Sequence, residues 1–283
     1  MLETAQRRRG GEDGFVLVSV IWLAGLIAVI TAALAITARM ETRMAANVVS
    51  NSRLEGIADG MTRLVAFRLA VDPAAVANGR CTWPGGTVVE TTIQDQEGLI
   101  DLNTAPPDLL RRVVAAAGGT DAQVIVADII DFRDADAVAQ DGGQEPVLYP
   151  GEAYGPKNAP FQAAEELDQV PGIDDALYRR LLPLTTVYAL QAGFDPAAMS
   201  QDLKALLNVR DDAKLGAYFT TSAKRVFAVD VVAYGKDGGR FWRRAIVAMA
   251  RQPDLPFAVL EWQRGPGLGE DRPVPVAGAA CFN

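Results

Sequence analysis

The sequence contains no histidine. It therefore lacks the commonest general base, the imidazole of a hydrolase triad and the usual ligand of catalytic zinc. A Gly-x-Ser-x-Gly nucleophile motif is also absent. Carboxylates adjacent in sequence, such as Glu165 and Glu166, lie on different faces of a helix and cannot form a catalytic pair. We therefore predict a protein that is not an enzyme.

Basic residues and cysteines are also scarce. The chain has 27 Lys and Arg against 35 Asp and Glu, a net charge of −8, which disfavours binding to nucleic acid because phosphates need cations. Its two cysteines, Cys81 and Cys281, are too far apart in sequence for a Cys-x-x-Cys unit. In an oxidising compartment they could pair and join the last residues to the start of the globular part. Two separate thiols are the alternative.

One apolar stretch, residues 14–38, contains no charged residue. As a helix it would be about 37 Å long, enough to cross a hydrocarbon core of about 30 Å. Three arginines, Arg7 to Arg9, precede it and favour a cytoplasmic leader. We therefore expect a single-pass inner-membrane protein whose residues beyond about 40 are periplasmic.

The start of this stretch resembles the signal of type IV pilins and pseudopilins, a short basic leader that ends in glycine before phenylalanine. The resemblance implies that prepilin peptidase cleaves after Gly14, and that Phe15 becomes an N-methylated N-terminus. Signal-peptidase cleavage near residues 33–35, Ala-Leu-Ala, is the alternative. Most such proteins carry glutamate as the fifth mature residue, where it neutralises the amine of a neighbouring subunit. Here Ser19 takes that place, which suits a subunit at the tip of an assembly.

Beyond the apolar stretch, the pattern predicts a sheet in two parts. Apolar residues at helical spacing continue from residue 54 to 65, and Asp72-Pro73 ends that helix. The predicted strands are Thr87–Gln94, Arg225–Tyr234, Arg240–Ala250 and Pro256–Trp262. We therefore predict an α+β fold in which a long N-terminal helix packs on an antiparallel sheet, and a large all-α domain is inserted into that sheet.

The inserted block has repeated helix-start patterns. Asn103-Thr104 precedes a Pro-Pro pair, Asn158 precedes Pro160, and Asp195 precedes Pro196. We predict that these polar residues cap helices and that each proline lies in a first turn. Residues 170–173, Val-Pro-Gly-Ile, indicate a turn of helix-hairpin-helix type and a SAM-like domain.

Such a turn can aim backbone N–H groups at a phosphate, so a membrane-anchored DNA-binding protein is a rival function. Asp174 and Asp175 stand where the phosphate would approach, and their like charge disfavours it.

Three segments together, residues 96–105, 130–136 and 158–167, resemble the general secretion pathway protein K family, minor pseudopilins of the type II secretion system. The resemblance implies a pseudopilus subunit that caps the tip, helps to start assembly and supports protein export across the outer membrane. The implied partners are the I, J and H minor pseudopilins, the major pseudopilin, prepilin peptidase and the inner membrane, with no nucleic acid. A type IV pilus minor pilin is the alternative within this class.

On this basis the predicted domains follow the chain in order. They are a leader at 1–14, a transmembrane helix at 15–38, a pilin-like helix and first strand at 39–99, an inserted helical domain at 100–222, and the remaining sheet and tail at 223–283.

An acidic, glycine-bearing loop is the candidate metal site. Closely spaced carboxylates suit calcium, which takes six to eight oxygen ligands. The spacing is not that of an EF-hand, because Val138 stands where a third ligand should be. Members of the protein K family bind calcium in the helical domain, so the resemblance implies calcium as a cofactor here, and a solvated acidic loop is the alternative. The candidate ligands are Asp131, Asp134, Asp136, Asp141 and Glu145, of which Asp134, Asp136 and Glu145 are the stronger.

Overall fold

A computed structural model describes residues 13–135, 155–207, 213–252, 255–265 and 278–281. The chain divides into two compact units, one up to Arg53 and one from Leu54 onward. The helices and strands, in chain order, are α1 Asp13–Val71, β1 Gly79–Trp83, β2 Thr87–Asp95, β3 Ile100–Asp101, α2 Pro107–Ala116, α3 Ala122–Arg133, α4 Asp175–Leu181, β4 Thr185–Thr186, α5 Gln201–Leu207, β5 Val226–Tyr234, β6 Arg240–Gln252, β7 Leu255–Arg264 and β8 Ala279–Ala280.

In the first unit, α1 exposes a continuous apolar surface. Every residue from Phe15 to Val49 whose exposure is described is exposed. By length and composition α1 is able to cross a membrane. Ser and Thr hydroxyls in this part of α1 donate back to carbonyls three or four residues earlier, which satisfies them without any outside partner.

In the second unit, the last part of α1 packs on one face of a six-stranded sheet. Strands follow the order β7-β6-β5-β2-β1-β8, and all neighbours are antiparallel except β1 and β8. The apolar face of α1 contacts alternate residues of the central strands. Burying each large aliphatic side chain contributes roughly 1.5–3 kcal/mol. The buried α1 residues are Leu54, Ile57, Ala58, Met61, Val65, Ala66 and Leu69.

The predicted insertion is directly visible in the pairing of strands. Residues Asp95 of β2 and Phe227 of β5 are direct cross-strand partners, so the chain leaves the sheet after β2 and returns beside the same strand. The described residues between them form the inserted domain, which contains α2 to α5 and a short parallel pair, β3-β4. The predicted α+β fold, with its long helix and inserted helical block, is confirmed.

Strand β5 is apolar on both faces because both are covered. One face contacts α1, and the other packs under the insert, where Tyr188 contacts a cluster of Val226, Ala228 and Ile246. Its central Asp230 is the one position of β5 that is not classed as buried. A strand that is buried on both faces typically has a continuous run of apolar residues in its sequence, and β5 has this pattern.

The inserted domain has its own core. Residues from α2, α3, α4 and α5 form one cluster of buried apolar side chains. Within it the rings of Phe132 and Phe161 stack with centroids 4.7 Å apart. The insert is therefore a second packed body rather than a long loop.

Candidate functional site

The junction between insert and sheet holds a cluster of polar groups around one buried carboxylate, which we call the junction cluster: Asp95, Glu97, Asp195, Ser222 and Arg225. Glu97 follows β2 in a 3₁₀ turn and is 1% exposed. One carboxylate oxygen of Glu97 accepts from the Nε of Arg225 at 2.7 Å, and the other accepts from the Ser222 hydroxyl at 2.7 Å. The backbone N–H groups of Ala223 and Lys224 also donate to Glu97. This one carboxylate therefore holds the returning chain beside the departing one.

Ser222 links two more acids to this cluster, one through its hydroxyl and one through its backbone N–H. It lies 2.6 Å from a carboxylate oxygen of Asp95, and the Ser222 N–H donates to Asp195 at 2.8 Å. Burial raises the pKa of Asp95, while the Ser222 hydrogen bond lowers it. The cluster joins both ends of the insert through hydrogen bonds within the fold, which indicates a structural role.

The Asp101–Asn103–Thr104 motif corrects one prediction. Asn103 does not cap a helix; its side-chain amide exchanges two hydrogen bonds with the backbone of Phe161, at 2.9 and 2.8 Å. Asp101, fully buried, accepts from the N–H groups of Asn103 and Thr104 and from that of Leu190. Helix α2 begins without a side-chain cap. The side chains of Asp101 and Asn103 thus bind the backbone of Leu190 and Phe161, and the motif joins segments that are distant in sequence.

The other predicted caps were also placed wrongly. Asn158, with φ 50°, lies in an irregular segment before a 3₁₀ turn at Ala164–Gln169. Asp195 accepts from Ala197 and Ser222 N–H groups, while Ser200 caps α5 through the Leu203 N–H at 3.1 Å. Short polar side chains bind nearby backbone in turns as readily as at helix starts, so the pattern alone does not separate the two.

The helix-hairpin-helix turn lies where it was predicted. Gly172 adopts φ 77°, and α4 begins at Asp175. Asp174 accepts from the Leu177 N–H at 2.7 Å and so occupies the helix start that a phosphate would need. Arg180 donates to the Ala117 carbonyl, so its guanidinium forms a hydrogen bond within the insert. These contacts disfavour a DNA-binding role.

Only part of the candidate calcium site lies within the described residues. Asp131 is fully buried in the last turn of α3, and Asp134 follows as the C-cap residue of that helix. Between them, Arg133 donates to the carbonyls of Leu102 and Ala105, and its burial lowers its pKa. Asp131 and Asp134 are hard oxygen donors at the start of the loop, as a calcium site requires.

The other candidate ligands, Asp136, Asp141 and Glu145, lie outside the described residues. Within the part that is described, no group of three or more acidic, histidine or cysteine side chains is gathered to hold a metal. Calcium binding therefore stays a prediction.

The two cysteines are joined. Cys81 of β1 and Cys281 form a disulfide with a Cα separation of 4.8 Å. Strand β8 lies parallel to the outer side of β1, and the Thr82 hydroxyl donates to the Gly278 carbonyl at 2.9 Å. The bond thus ties a short terminal strand to the edge of the sheet.

The predicted processing residues lie at the start of α1. Gly14 and Phe15 are both within the helix, and Phe15 is 76% exposed. The Ser19 hydroxyl donates to the Phe15 carbonyl at 2.9 Å. Ser19 therefore carries no charge, and its hydroxyl forms a hydrogen bond within its own helix.

A further polar group was not found by sequence reasoning. Arg243 of β6 is only 7% exposed, and its guanidinium binds Asp59 at 2.6 Å and Glu55 at 2.9 Å, both on α1. The guanidinium also lies 5.2 Å from the Trp262 ring centroid. Nothing in the local sequence pattern of the helix pairs these two acids with a strand far along the chain.

Comparison with known proteins finds a similar family and a similar fold. Residues 92–190 match the family model for type II secretion system protein K. This segment of the chain is therefore similar to a family of minor pseudopilins. One similar solved chain is from the crystal structure of the GspK-GspI-GspJ complex of the enterotoxigenic Escherichia coli type 2 secretion system, with 15% identity and a TM-score of 0.55. The match covers 81% of this chain and 99% of that one, and it shows a shared fold. No curated protein matches the chain.

The similarity favours a component of type II secretion over a type IV pilus minor pilin, because the matched family model is that of a type II secretion protein. The matched region runs from the end of β2 to the segment after β4, so it includes Asp95 and Glu97 of the junction cluster and the first part of the insert. By length and composition, the long apolar α1 is able to serve as a single membrane anchor.

Proposed function

We propose that this minor pseudopilin caps the tip of the periplasmic pseudopilus and helps to start its assembly. The observation that carries this proposal is the inserted domain, a packed body placed where β2 and β5 would otherwise be joined directly. Subunits stacked along a fibre must repeat the same contacts, and a body of this size on one subunit hinders stacking. Ser19 supports the same position, because a serine cannot neutralise the amine of a neighbouring subunit.

The partners that fit this position are the other minor pseudopilins of the I, J and H types, together with the major pseudopilin. The similar solved chain comes from a complex named for the K, I and J proteins, which supports the first two. The exposed apolar face of α1 is suited to helix bundling, first in the inner membrane and then in the fibre. The globular part would lie in the periplasm, where a Cys81–Cys281 disulfide persists.

Labelling of assembled pseudopili tests the tip position. In cells that overproduce the major pseudopilin, gold-conjugated antibody against the insert of the full-length protein should mark fibre ends and not their sides. Antibody against the major pseudopilin is the control and should mark the whole length. Insert antibody distributed along the fibre would overturn the tip assignment.

Processing at Gly14 is a separate part of the proposal. The membrane-extracted protein should begin at an N-methylated Phe15, as read by N-terminal sequencing and mass spectrometry. Replacing Gly14 with valine should leave the leader attached. A mature protein that begins after residue 35 would instead identify a cleaved signal peptide and remove the assembly role.

Calcium is the third part. Calcium-loaded protein should melt at a higher temperature than protein treated with EGTA, because a bound ion stabilises only the folded state. Combined replacement of Asp134 and Asp136 by asparagine and of Glu145 by glutamine should remove that difference, while Asp202→Asn, a distant exposed site on α5, should keep it. Wild-type protein that is indifferent to EGTA would contradict calcium binding.

A further inference from the structure

A cleft of about 450 Å³ lies between the inserted domain and the outer part of the sheet. The sheet contributes Ile246 of β6 and Glu261 of β7, on the face opposite α1. The insert contributes Glu165 and Tyr188 on the other side. The cleft is thus bounded by two separately packed bodies and adjoins the β7 side of the sheet.

The acidic groups in this cleft form no salt bridge with any residue that the structure describes. Glu165 makes no hydrogen bond or ion pair with any residue that the structure describes. Glu261 accepts from the Tyr188 phenol at 3.4 Å and from the Gln263 amide at 2.9 Å, both neutral donors. Two carboxylates therefore face the cleft with only uncharged hydrogen-bond donors.

Both arginines that line the cleft are engaged elsewhere. Arg244 lies 3.7 Å from its cross-strand neighbour Asp230, and the Arg264 guanidinium lies 4.9 Å from the ring centroid of Phe241, which belongs to the core on the α1 side. With Asp230 included, three carboxylates and two arginines surround the cleft, which gives a net charge of −1. A cation entering it would find the half-buried carboxylate of Glu261 and the exposed carboxylate of Glu165, and charge pairing is stronger beside the half-buried group than in bulk water.

The ionisable groups respond to this environment in the expected direction. Burial raises the pKa of Glu261, and nearby Glu165 raises it further, while Arg244 lowers it. Burial, together with Glu261 and Glu165, raises the pKa of Tyr188 to about 12. Both groups hold their protons more tightly than usual, as groups do in a negative and partly buried site.

Beside the cleft, β7 offers a free edge. Among the described strands it pairs with β6 alone. Its Leu255, Val259 and Leu260 are each about half exposed or more, at 59%, 47% and 50%. Natural edge strands are commonly protected by charges or by a covering segment, because unpaired N–H and C=O groups bind other strands. An edge with exposed apolar residues suits an added strand.

We propose that the free edge of β7 and the adjoining cleft bind an extended segment of another protein chain, and that a lysine or arginine of that segment pairs with Glu165 and Glu261. A strand added to β7 would place alternate side chains on the cleft face of the sheet. Backbone hydrogen bonds would supply affinity, and the basic side chain would supply specificity. The proposal goes beyond the tip position and does not depend on it.

The test uses the full-length protein in detergent micelles and a fluorescein-labelled peptide of alternating valine and threonine with one central lysine. Fluorescence anisotropy should show binding at least ten-fold tighter than for the same peptide with glutamine in place of lysine. The double variant Glu165→Gln with Glu261→Gln should bind the two peptides alike. Asp202→Asn, which removes an exposed carboxylate on α5 outside the cleft, is the matched control and should keep the lysine preference.

Peptides methylated on alternate backbone nitrogens separate strand addition from simple charge attraction. Methylation along the edge that faces β7 should weaken binding at least ten-fold, whereas methylation along the opposite edge should not. Circular dichroism of the glutamine variants confirms that they fold. No binding of the lysine peptide, equal binding of both peptides by wild type, an unchanged preference in the double variant, or indifference to methylation would each overturn the proposal.

Discussion

Replacing Glu97 with glutamine tests whether the junction cluster holds the insert on the sheet. One oxygen of Glu97 serves Arg225, and the other serves Ser222 and two backbone N–H groups. A glutamine side chain of nearly the same size keeps only one acceptor oxygen. Whichever way its amide turns, an NH₂ group then faces donors that had bound a carboxylate.

The expected loss of stability is large for a change of this size. Removing one partner of a buried ion pair costs about 3–5 kcal/mol. Arg225 is 46% exposed and can recover water, so we expect about 3 kcal/mol for Glu97→Gln, a sizeable part of the roughly 5–15 kcal/mol that stabilises a domain. Urea unfolding of the full chain in mild detergent, followed by tryptophan fluorescence, measures this free energy because Trp83 and Trp242 lie on the sheet.

A surface pair provides the control. Asp108 and Arg111 form an exposed ion pair at 2.9 Å on α2, so Asp108→Asn should cost no more than about 0.5 kcal/mol. A double-mutant cycle with Arg225→Met should return a coupling of about 1–3 kcal/mol between positions 97 and 225. If Glu97→Gln is as mild as Asp108→Asn, the junction cluster does not hold the insert.

Three further changes test other parts of the structure. Cys281→Ser should lower the free energy of unfolding by about 2–5 kcal/mol, and dithiothreitol should bring wild type to the same value; an unchanged urea midpoint would mean that Cys81 is not paired with it. Asp174→Ala should cost about 1 kcal/mol in the same assay, because the Leu177 N–H loses its cap, while Asp174→Asn should cost less. Because Tyr188 keeps its proton to about pH 12 when folded and to about 10 when unfolded, stability should fall as pH rises between these values, and Tyr188→Phe should reduce that fall; equal slopes would contradict the raised pKa.

Four of the six strands of the sheet, and the long interruption between them, were predictable from local sequence patterns, whereas β1 and β8, at one end of the sheet, were not predicted. The predicted strand Arg225–Tyr234 is observed as Val226–Tyr234, and Pro256–Trp262 as Leu255–Arg264. The last turn of α1 ends at Val71, immediately before the Asp72-Pro73 stop. Each of these boundaries is fixed by residues within a few positions of it.

The polar contacts were not predictable, because their partners lie far apart in the chain. Glu97 binds Arg225, and Asn103 binds Phe161, with nothing in either local pattern to connect them. Glu55 on α1 likewise pairs with Arg243 on β6, and the helical pattern around Glu55 gives no sign of this distant cation. Capping was predicted wrongly for Asn103 for this reason, since its side chain prefers a distant backbone over the next helix.

The two ends of the insert lie side by side, and this affects how strands β2 and β5 of the sheet can pair during folding. Pairing β2 with β5 is a contact between distant parts of the sequence, and such contacts form slowly. If the helical body folds first, the contacts of Glu97 with Ser222 and Arg225 bring its two ends together, and β2 and β5 can then pair as the two strands of a hairpin do. An inserted domain whose two ends are adjacent can be enlarged or exchanged during evolution, because the strands on either side keep their register.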